Sequence, residues 1–517
     1  MSDDLRLAEL LCALSLASDL SQGQALEWEL RACRLAVALA EGMGLSAEQR
    51  VETYWVAMLR YIGCTGHAYE VASLFGDDIV ARDRAFTVDW GSSGEVVRQL
   101  LRHAGEGLPT PARLRVVGAA LAGGRKPANA NFRTGCEVAE LFATRLGFDA
   151  AVRAALWHAF ERWDGKGFPN RVKGDAIATS MRIVQVAQDM DVMFRVGGVE
   201  HAVDVARSRS GAAYDPSVAE HFCGAAAELL PMVHDGSAWE AVLAAEPVPR
   251  RTLAADAQDE ALLAVADFAD IKSPYTAGHS RAVAELASQA ARRGRLPEAE
   301  CVDVWRAGLV HDLGRTAVSN AVWDKPGALT ALEWERVRLH PYYTERMLAR
   351  VGPLAGLGRV AALHHERVDG SGYHKGVSGP TLSVAARILA AADAYQAMTE
   401  VRAFRPARAP AEAARALKGE VESGRLDGDA VTAVLEAAGQ RVSRRAAAAA
   451  GGLTAREVEV LRLVARGMTA KQIGAALTIS PRTVNHHVDH VYTKLGVSTR
   501  GAAALYAIQH GLIARGG

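Results

Sequence analysis

The chain has 517 residues, half of them apolar and 23% charged, so it can bury large cores and corresponds to about three to four domains. Net charge is zero, but residues 453–517 hold eight Lys/Arg against three Asp/Glu, a local +5 that leaves −5 on the rest. A basic tail on an acidic body points to a polyanionic partner. The six cysteines (12, 33, 64, 136, 223 and 301) form no CxxC pair, which argues against a zinc ribbon or a disulfide framework and fits a reducing cytoplasm. No run approaches the roughly 18 uninterrupted apolar residues of a membrane span.

Taken in chain order, the pattern is helical nearly throughout. The stretch MSDDLRLAELLCALSLASDL opens acidic and keeps charge among its apolar residues, so it reads as an amphipathic helix and not a signal peptide. ELRACRLAVALAEGMGL, EVAELFATRLGF, VRAALWHAFERW and AVAELASQAARRG repeat apolar residues at three- and four-residue spacing. Abundant alanine and few aromatics agree with an all-α class. Breakers gather at 104–131, at 246–252 (EPVPRRT) and at 443–452. The second is read as a domain boundary and the third as a linker, placed at 441–452.

One phrase occurs twice. Residues 155–171 read ALWHAFERWDGKGFPNR, and 362–376 read ALHHERVDGSGYHKG. The same offset aligns Arg182-Ile183 with Arg387-Ile388 and Gln188 with Asp393. A second offset aligns LRYIGCT (59–65) with VHDLGRT (310–316). Three blocks in one order describe a duplicated helical domain, residues 1–250 and 255–440. Only the later copy holds His279, His311, Asp312, His340, His364, His365 and Asp393. Adjacent helical residues point about 100° apart, so His311 and Asp312 suit two neighbouring ions better than one. Mixed imidazole and carboxylate donors favour iron, manganese or zinc over magnesium or calcium. Two such ions can activate water and clamp a phosphoryl group.

TAGHSRAVAELA, VHDLGR, RLHPYYTERML, ALHHERVDGSGYHKG and RILAAADAYQAMT, in that order, resemble the HD-GYP branch of the HD phosphohydrolases over nearly all of 260–440. The resemblance implies a helical bundle with a binuclear, sometimes trinuclear, iron or manganese centre that hydrolyses cyclic di-GMP. By motif position it implies His279, His311, Asp312, His340, His364, His365 and Asp393 as ligands, with Asp312 bridging. It also implies Asp312 and Arg315 as catalytic groups, and Asp369, Gly370, Gly372 and Tyr373 as the substrate loop. Arg315 stands where the family has lysine, and His374 where the GYP signature has proline. Tyr275 stands where trinuclear members carry glutamate, so two divalent metals are expected. In the earlier copy Arg60-Tyr61, Ala159-Phe160 and Gln188 replace the ligands, so that half is read as a pseudo-enzyme. It is left to sense a ligand, to dimerise, to cover the active half, or only to pack; His158 is read as structural.

In the tail, Thr454 with Glu457 forms a capping box, Gly467 ends that helix, a second runs from about Thr469 to Leu477, and Ser480-Pro481 opens a third. Two short helices, a tight turn and a polar third helix describe a helix-turn-helix. The stretch resembles the LuxR/FixJ-type DNA-binding domain over residues 453–517. That resemblance implies Thr483 to Tyr492 entering the major groove, Asn485, His486 and Asp489 facing bases, and Arg482, Lys494 and Arg500 at phosphates. It also implies a homodimer on a two-fold operator. The expected protein is a cytoplasmic transcription regulator that binds DNA and a cyclic dinucleotide or other phosphoester, with no membrane partner.

Overall fold

A computed structural model describes residues 5–439, 453–510 and 512; the linker expected at 441–452 lies outside them. The described residues are overwhelmingly helical, as the all-α reading requires. Their sheet is one antiparallel pair, β1 (Leu5–Arg6) and β2 (Thr252–Leu253), with Leu5 opposite Leu253. That pair joins the two ends of one compact unit, residues 5–253. The other unit begins at Ala254 and includes the C-terminal helices. No described helix is long and apolar enough to cross a membrane.

In the first unit, α1 (Leu7–Ser21) corrects the amphipathic reading: it is buried almost all round, Ser15, Ser18 and Asp19 included. Asp19 faces inward because it has work there. Asp19 accepts the N–H groups of Trp28 and Glu29, both at 3.0 Å, at the start of α2 (Trp28–Gly42), where free amides favour a carboxylate. A capping box of Ser46 and Gln49 opens α3 (Ala47–Leu59). Breakers at 104–131 do not leave an irregular stretch. Pro111 and Pro127 sit in the first turns of a helix over Thr110–Gly123 and of α4 (Lys126–Arg145), where proline's missing N–H costs no bond. The unit is completed by α5 (Thr179–Arg209), which leaves helical geometry at Gly197 and Gly198, and α6 (Pro216–His234).

The second unit contains α7 (Ala255–Asp270), α8 (His279–Arg293), α9 (Glu298–Val310), α10 (His340–Leu348), α11 (Ala355–Ala361), α12 (Val384–Thr399) and α13 (Gly428–Ala438). Val283, Ala287, Val304, Ile388, Leu389, Val431 and Val434 from four of these helices share one core. Small residues let the helices approach closely: a Cβ on Gly308 of α9 would lie 2.6 Å from Ala284 Cα of α8. At the C-terminus come α14 (Ala455–Ala465), α15 (Ala470–Leu477), α16 (Pro481–Leu495) and α17 (Arg500–Gln509). Thr454, Thr469 and Ser480 each accept an N–H three residues on. Val460, Val464, Ile473 and Val484 form their core.

Candidate metal centre and nucleic-acid interface

Five helices deliver the metal-type side chains to one point. His279 opens α8, His311-Asp312 leave α9, His340 opens α10, His364-His365 leave α11, and Asp393 sits inside α12. Helix ends suit this task, because a side chain there can leave the bundle face without disturbing the core. All but His365 are buried, and His365 is partly exposed.

The imidazoles are oriented by their own backbone. Nδ1–H of His311 donates to Gly308 O (2.7 Å), that of His340 to Val337 O (2.6 Å) and that of His364 to Ala361 O (2.7 Å). A carbonyl can only accept, so Nδ1 holds the proton and Nε2 offers its lone pair inward. Asp312 Oδ2 lies 3.7 Å from His279 Nε2 and 3.4 Å from His311 Nε2. Its other oxygen lies 3.4 Å from His340 Nε2 and 3.6 Å from His364 Nε2. One carboxylate thus faces two donor groups, His279/His311 and His340/His364/His365. Asp393 spans them too, with Oδ1 3.2 Å from His279 Nε2 and Oδ2 3.8 Å from His365 Nδ1.

The donor set fits divalent cations. His311 Nε2 is buried without a hydrogen-bond partner. The Nε2 atoms of His340 and His364, both lone-pair donors, face each other at 3.1 Å. Two lone pairs at that distance repel unless a positive charge lies between them. Burial lowers His340 to about 4 and His364 to about 3, so both are neutral and ready to ligate at neutral pH. Burial would raise the Asp312 carboxyl, yet His311 and Arg315 beside it hold it well below the ordinary range.

Sequence reasoning missed Glu400, whose Oε2 meets His279 Nδ1 at 2.9 Å and also accepts from Arg402. Against the effect of burial, Glu400 and Asp393 raise His279 to about 10. A carboxylate behind a ligating histidine fixes its ring and raises its basicity. Glu400→Gln is expected to weaken metal binding about 10–100-fold with the fold intact; chelator competition on the purified chain measures it. The available signal was register: Glu400 follows Asp393 by seven residues, about two helical turns.

Arg315 donates to Asp312 Oδ2 at 2.9 Å, and its guanidinium lies 3.9 Å over the Trp323 ring. Tyr373 stacks on His365 at 4.7 Å between centroids. The rest of the expected substrate loop serves loop shape. Asp369 is exposed and accepts the N–H and hydroxyl of Ser371; Gly370 has φ +79°. Gly372 presses on the backbone of Glu366 and Arg367, and a Cβ there would meet Glu366 Cα at 2.4 Å. Buried Glu366 was also missed: it accepts the N–H groups of Lys375, Gly376 and Val377 and so closes the loop. His374 faces Glu345 at 3.6 Å, and Tyr275 offers its carbonyl to Arg402.

The first unit repeats this frame without the ligands. A Cβ on Gly63 would meet Gly135 O at 2.0 Å and Ala139 N at 2.6 Å; one on Gly314 would meet His340 O at 2.0 Å and Thr344 N at 2.7 Å. The matched contacts place Gly135 where the second unit has His340, a counterpart that sequence alone did not reveal. Glu161 holds its loop through Asn170 N (2.7 Å), as Glu366 does through Lys375 N (2.7 Å). Arg60 takes the place of His311, donating to Gln188 Oε1 (2.7 Å) and Ala159 O (3.1 Å). His158 Nδ1 accepts the N–H of Ala178, a structural bond.

At the C-terminus, Arg482, Thr483, Asn485, His486 and Asp489 are exposed on α16, while Val484 and Val491 of the same helix are buried. Ser480 holds Thr483 at the helix start, both through its backbone and its hydroxyl. Lys494 departs from a free phosphate contact, since Nζ donates to Glu457 Oε2 at 2.7 Å. Arg500 is half-buried at the start of α17.

The family described as HD domain matches residues 136–218 and 264–430, and that described as bacterial regulatory proteins, luxR family, matches residues 452–507. The chain is 31% identical over 412 residues to 3'3'-cGAMP-specific phosphodiesterase 3 of Vibrio cholerae, covering 78% of this chain and 88% of that one. It is 39% identical over 142 residues to cyclic di-GMP phosphodiesterase PA4108 of Pseudomonas aeruginosa, covering 27% and 34%. The crystal structure of the cyclic GMP-AMP specific phosphodiesterase V-cGAP3 of V. cholerae superposes with a TM-score of 0.59 at 26% identity, covering 84% of this chain and 98% of that one. The ligand geometry and the long match lead to one assignment: the chain belongs to the HD-domain family of metal-dependent phosphohydrolases, carrying a LuxR-family regulatory domain at its C-terminus.

Proposed function

We propose that residues 255–440 hydrolyse a 3'3'-linked cyclic dinucleotide, cyclic GMP-AMP or cyclic di-GMP, at a centre of two iron or manganese ions. The ligand state then biases operator binding by residues 453–517 of a cytoplasmic homodimer. One observation carries this reading: Asp312 faces two separate histidine groups with its two oxygens. His279, His311, Asp312, His340, His364, His365 and Asp393 are the residues that would hold the ions. When bound, such a pair acidifies water and draws charge from a phosphoryl group. The chain's own residues position the reactants. The carbonyl bonds fix each Nε2, Glu400 steadies His279, Arg315 sets a positive charge beside the carboxylate, and Tyr373 offers an aromatic face against His365.

Coupling to DNA requires that the ligand bind the two DNA-binding states unequally. On α16, Asn485, His486 and Asp489 form the reading face beside Thr483, with Arg482 and Arg500 toward phosphate. Asn485→Ala is expected to lose about 1–3 kcal/mol of operator affinity and little non-specific affinity; anisotropy titrations on operator and random duplexes compare them.

A second reading has its own observation. Arg315 already pairs with the Asp312 oxygen nearest His279 and His311, which competes with a cation there and favours a nucleotide sensor without turnover. Incubating the metal-loaded chain with 3'3'-cGAMP, cyclic di-GMP and a simple aryl phosphodiester separates the readings. Conversion of a cyclic dinucleotide to linear product supports the phosphodiesterase. Saturable binding with no product supports the sensor, and cleavage of the aryl ester alone points to another phosphoester.

A further inference from the structure

The first unit lost its metal ligands but kept a cavity in their place. The cavity measures about 170 Å³ and is lined by residues of that unit alone. For scale, an engineered cavity of about 150 Å³ takes one benzene, so the enclosed space takes about one ring-sized group, and the rest of a larger ligand would lie among the half-buried rings at its mouth. Its wall differs from that of the metal centre in kind. Phe86, Phe132 and Phe160 are half-buried rings at its side, with Tyr61 buried behind them. Phe132 lies 4.6 Å from Phe160, and Tyr61 lies 5.6 Å from Phe86.

The deep wall is cationic. Arg60 is 6% exposed, and both of its hydrogen-bond acceptors, Gln188 Oε1 and Ala159 O, are neutral. Arg82 is equally buried; its Nη atoms donate to Ser21 O and Cys64 O, and Asp78 lies 3.8 Å away. Its Nε has no partner, and neither does Nδ1 of His67, another buried residue of the lining. Of the two acids of the lining, Glu161 takes the N–H of Asn170 with one oxygen while its other oxygen is buried without a partner, and Asp189 takes the Tyr214 hydroxyl. A buried guanidinium with only neutral acceptors is costly, and an anion would offset that cost with charge-assisted bonds. Aromatic faces beside it suit a planar heterocycle.

We propose that this cavity binds a nucleoside monophosphate, with its phosphate against Arg60 and Arg82 and its base among Phe86, Phe132 and Phe160. The former catalytic pocket is thereby a receptor. The inference stands apart from the metal-centre reading, because none of its residues belongs to that centre.

Calorimetric titration of the full chain carrying Asp312→Ala tests it, since that background disables metal-dependent turnover at the other unit. GMP and AMP are the probes, with inorganic phosphate and cyclic di-GMP as comparisons. One molecule of GMP or AMP is expected to bind per chain. Phe132→Ala, at the half-buried mouth, is expected to weaken binding at least about tenfold, and Arg60→Gln likewise. Thermal melting of each variant identifies any loss of fold, and Phe132→Ala decides the matter if Arg60→Gln unfolds. Absence of saturable mononucleotide binding overturns the proposal. So does binding that Phe132→Ala leaves within about twofold, or inorganic phosphate or cyclic di-GMP binding as tightly as GMP.

Discussion

Asp312→Ala is expected to strip the chain of bound transition metal and to lower phosphodiester hydrolysis by more than about a hundredfold. Loss of an outer-shell partner typically costs about 10–100-fold in metal affinity or activity. Asp312 is more central than that, because its two oxygens lie 3.4–3.7 Å from four imidazole nitrogens. Removing it also leaves Arg315 without its 2.9 Å acceptor. The fold should persist, since the helices that carry the ligands have their own apolar core. Metal analysis, turnover and a thermal melt on one preparation check all three statements. Retained metal with retained turnover would remove Asp312 from the centre.

Gly314→Ala is expected to cost about 3 kcal/mol or more and to disrupt the metal centre with it. The added Cβ would stand 2.0 Å from His340 O and 2.7 Å from Thr344 N. Both are backbone atoms of α10, so relief requires moving the helix that presents His340. Gly314 N also donates to Thr344 Oγ1 at 2.9 Å, which locks the contact. For a bundle of this size, 3 kcal/mol corresponds to a fall in melting temperature of roughly 6–12 °C. An unchanged melt with full metal content would show that α10 moves freely, contrary to the packing described. Gly63→Ala, against Gly135 O, probes the same joint in the first unit.

Much of this was legible in the sequence because it is local. A capping box needs residues three apart, so Thr454 with Glu457 and Thr469 with Gln472 announce their helices directly. The candidate ligand residues could be picked out because imidazoles cluster in short motifs at helix ends. What remained hidden depends on tertiary contact. Glu400 is one acid among 59 and acts only because α12 ends beside His279. Gly135 has no side chain to mark it as the counterpart of His340; only its packing against Gly63 does. Ser15, Ser18 and Asp19 look like a solvent face until α2 is seen to begin on Asp19. Lys494 looks free for phosphate until α16 is placed beside Glu457.

The most direct test of the central claim is anaerobic purification of the wild-type chain, metal analysis, and hydrolysis of 3'3'-cGAMP and cyclic di-GMP by that preparation. Two iron or manganese ions per chain with conversion of a cyclic dinucleotide to linear product is the predicted result. A folded chain that binds no transition metal and leaves both nucleotides intact would contradict the account.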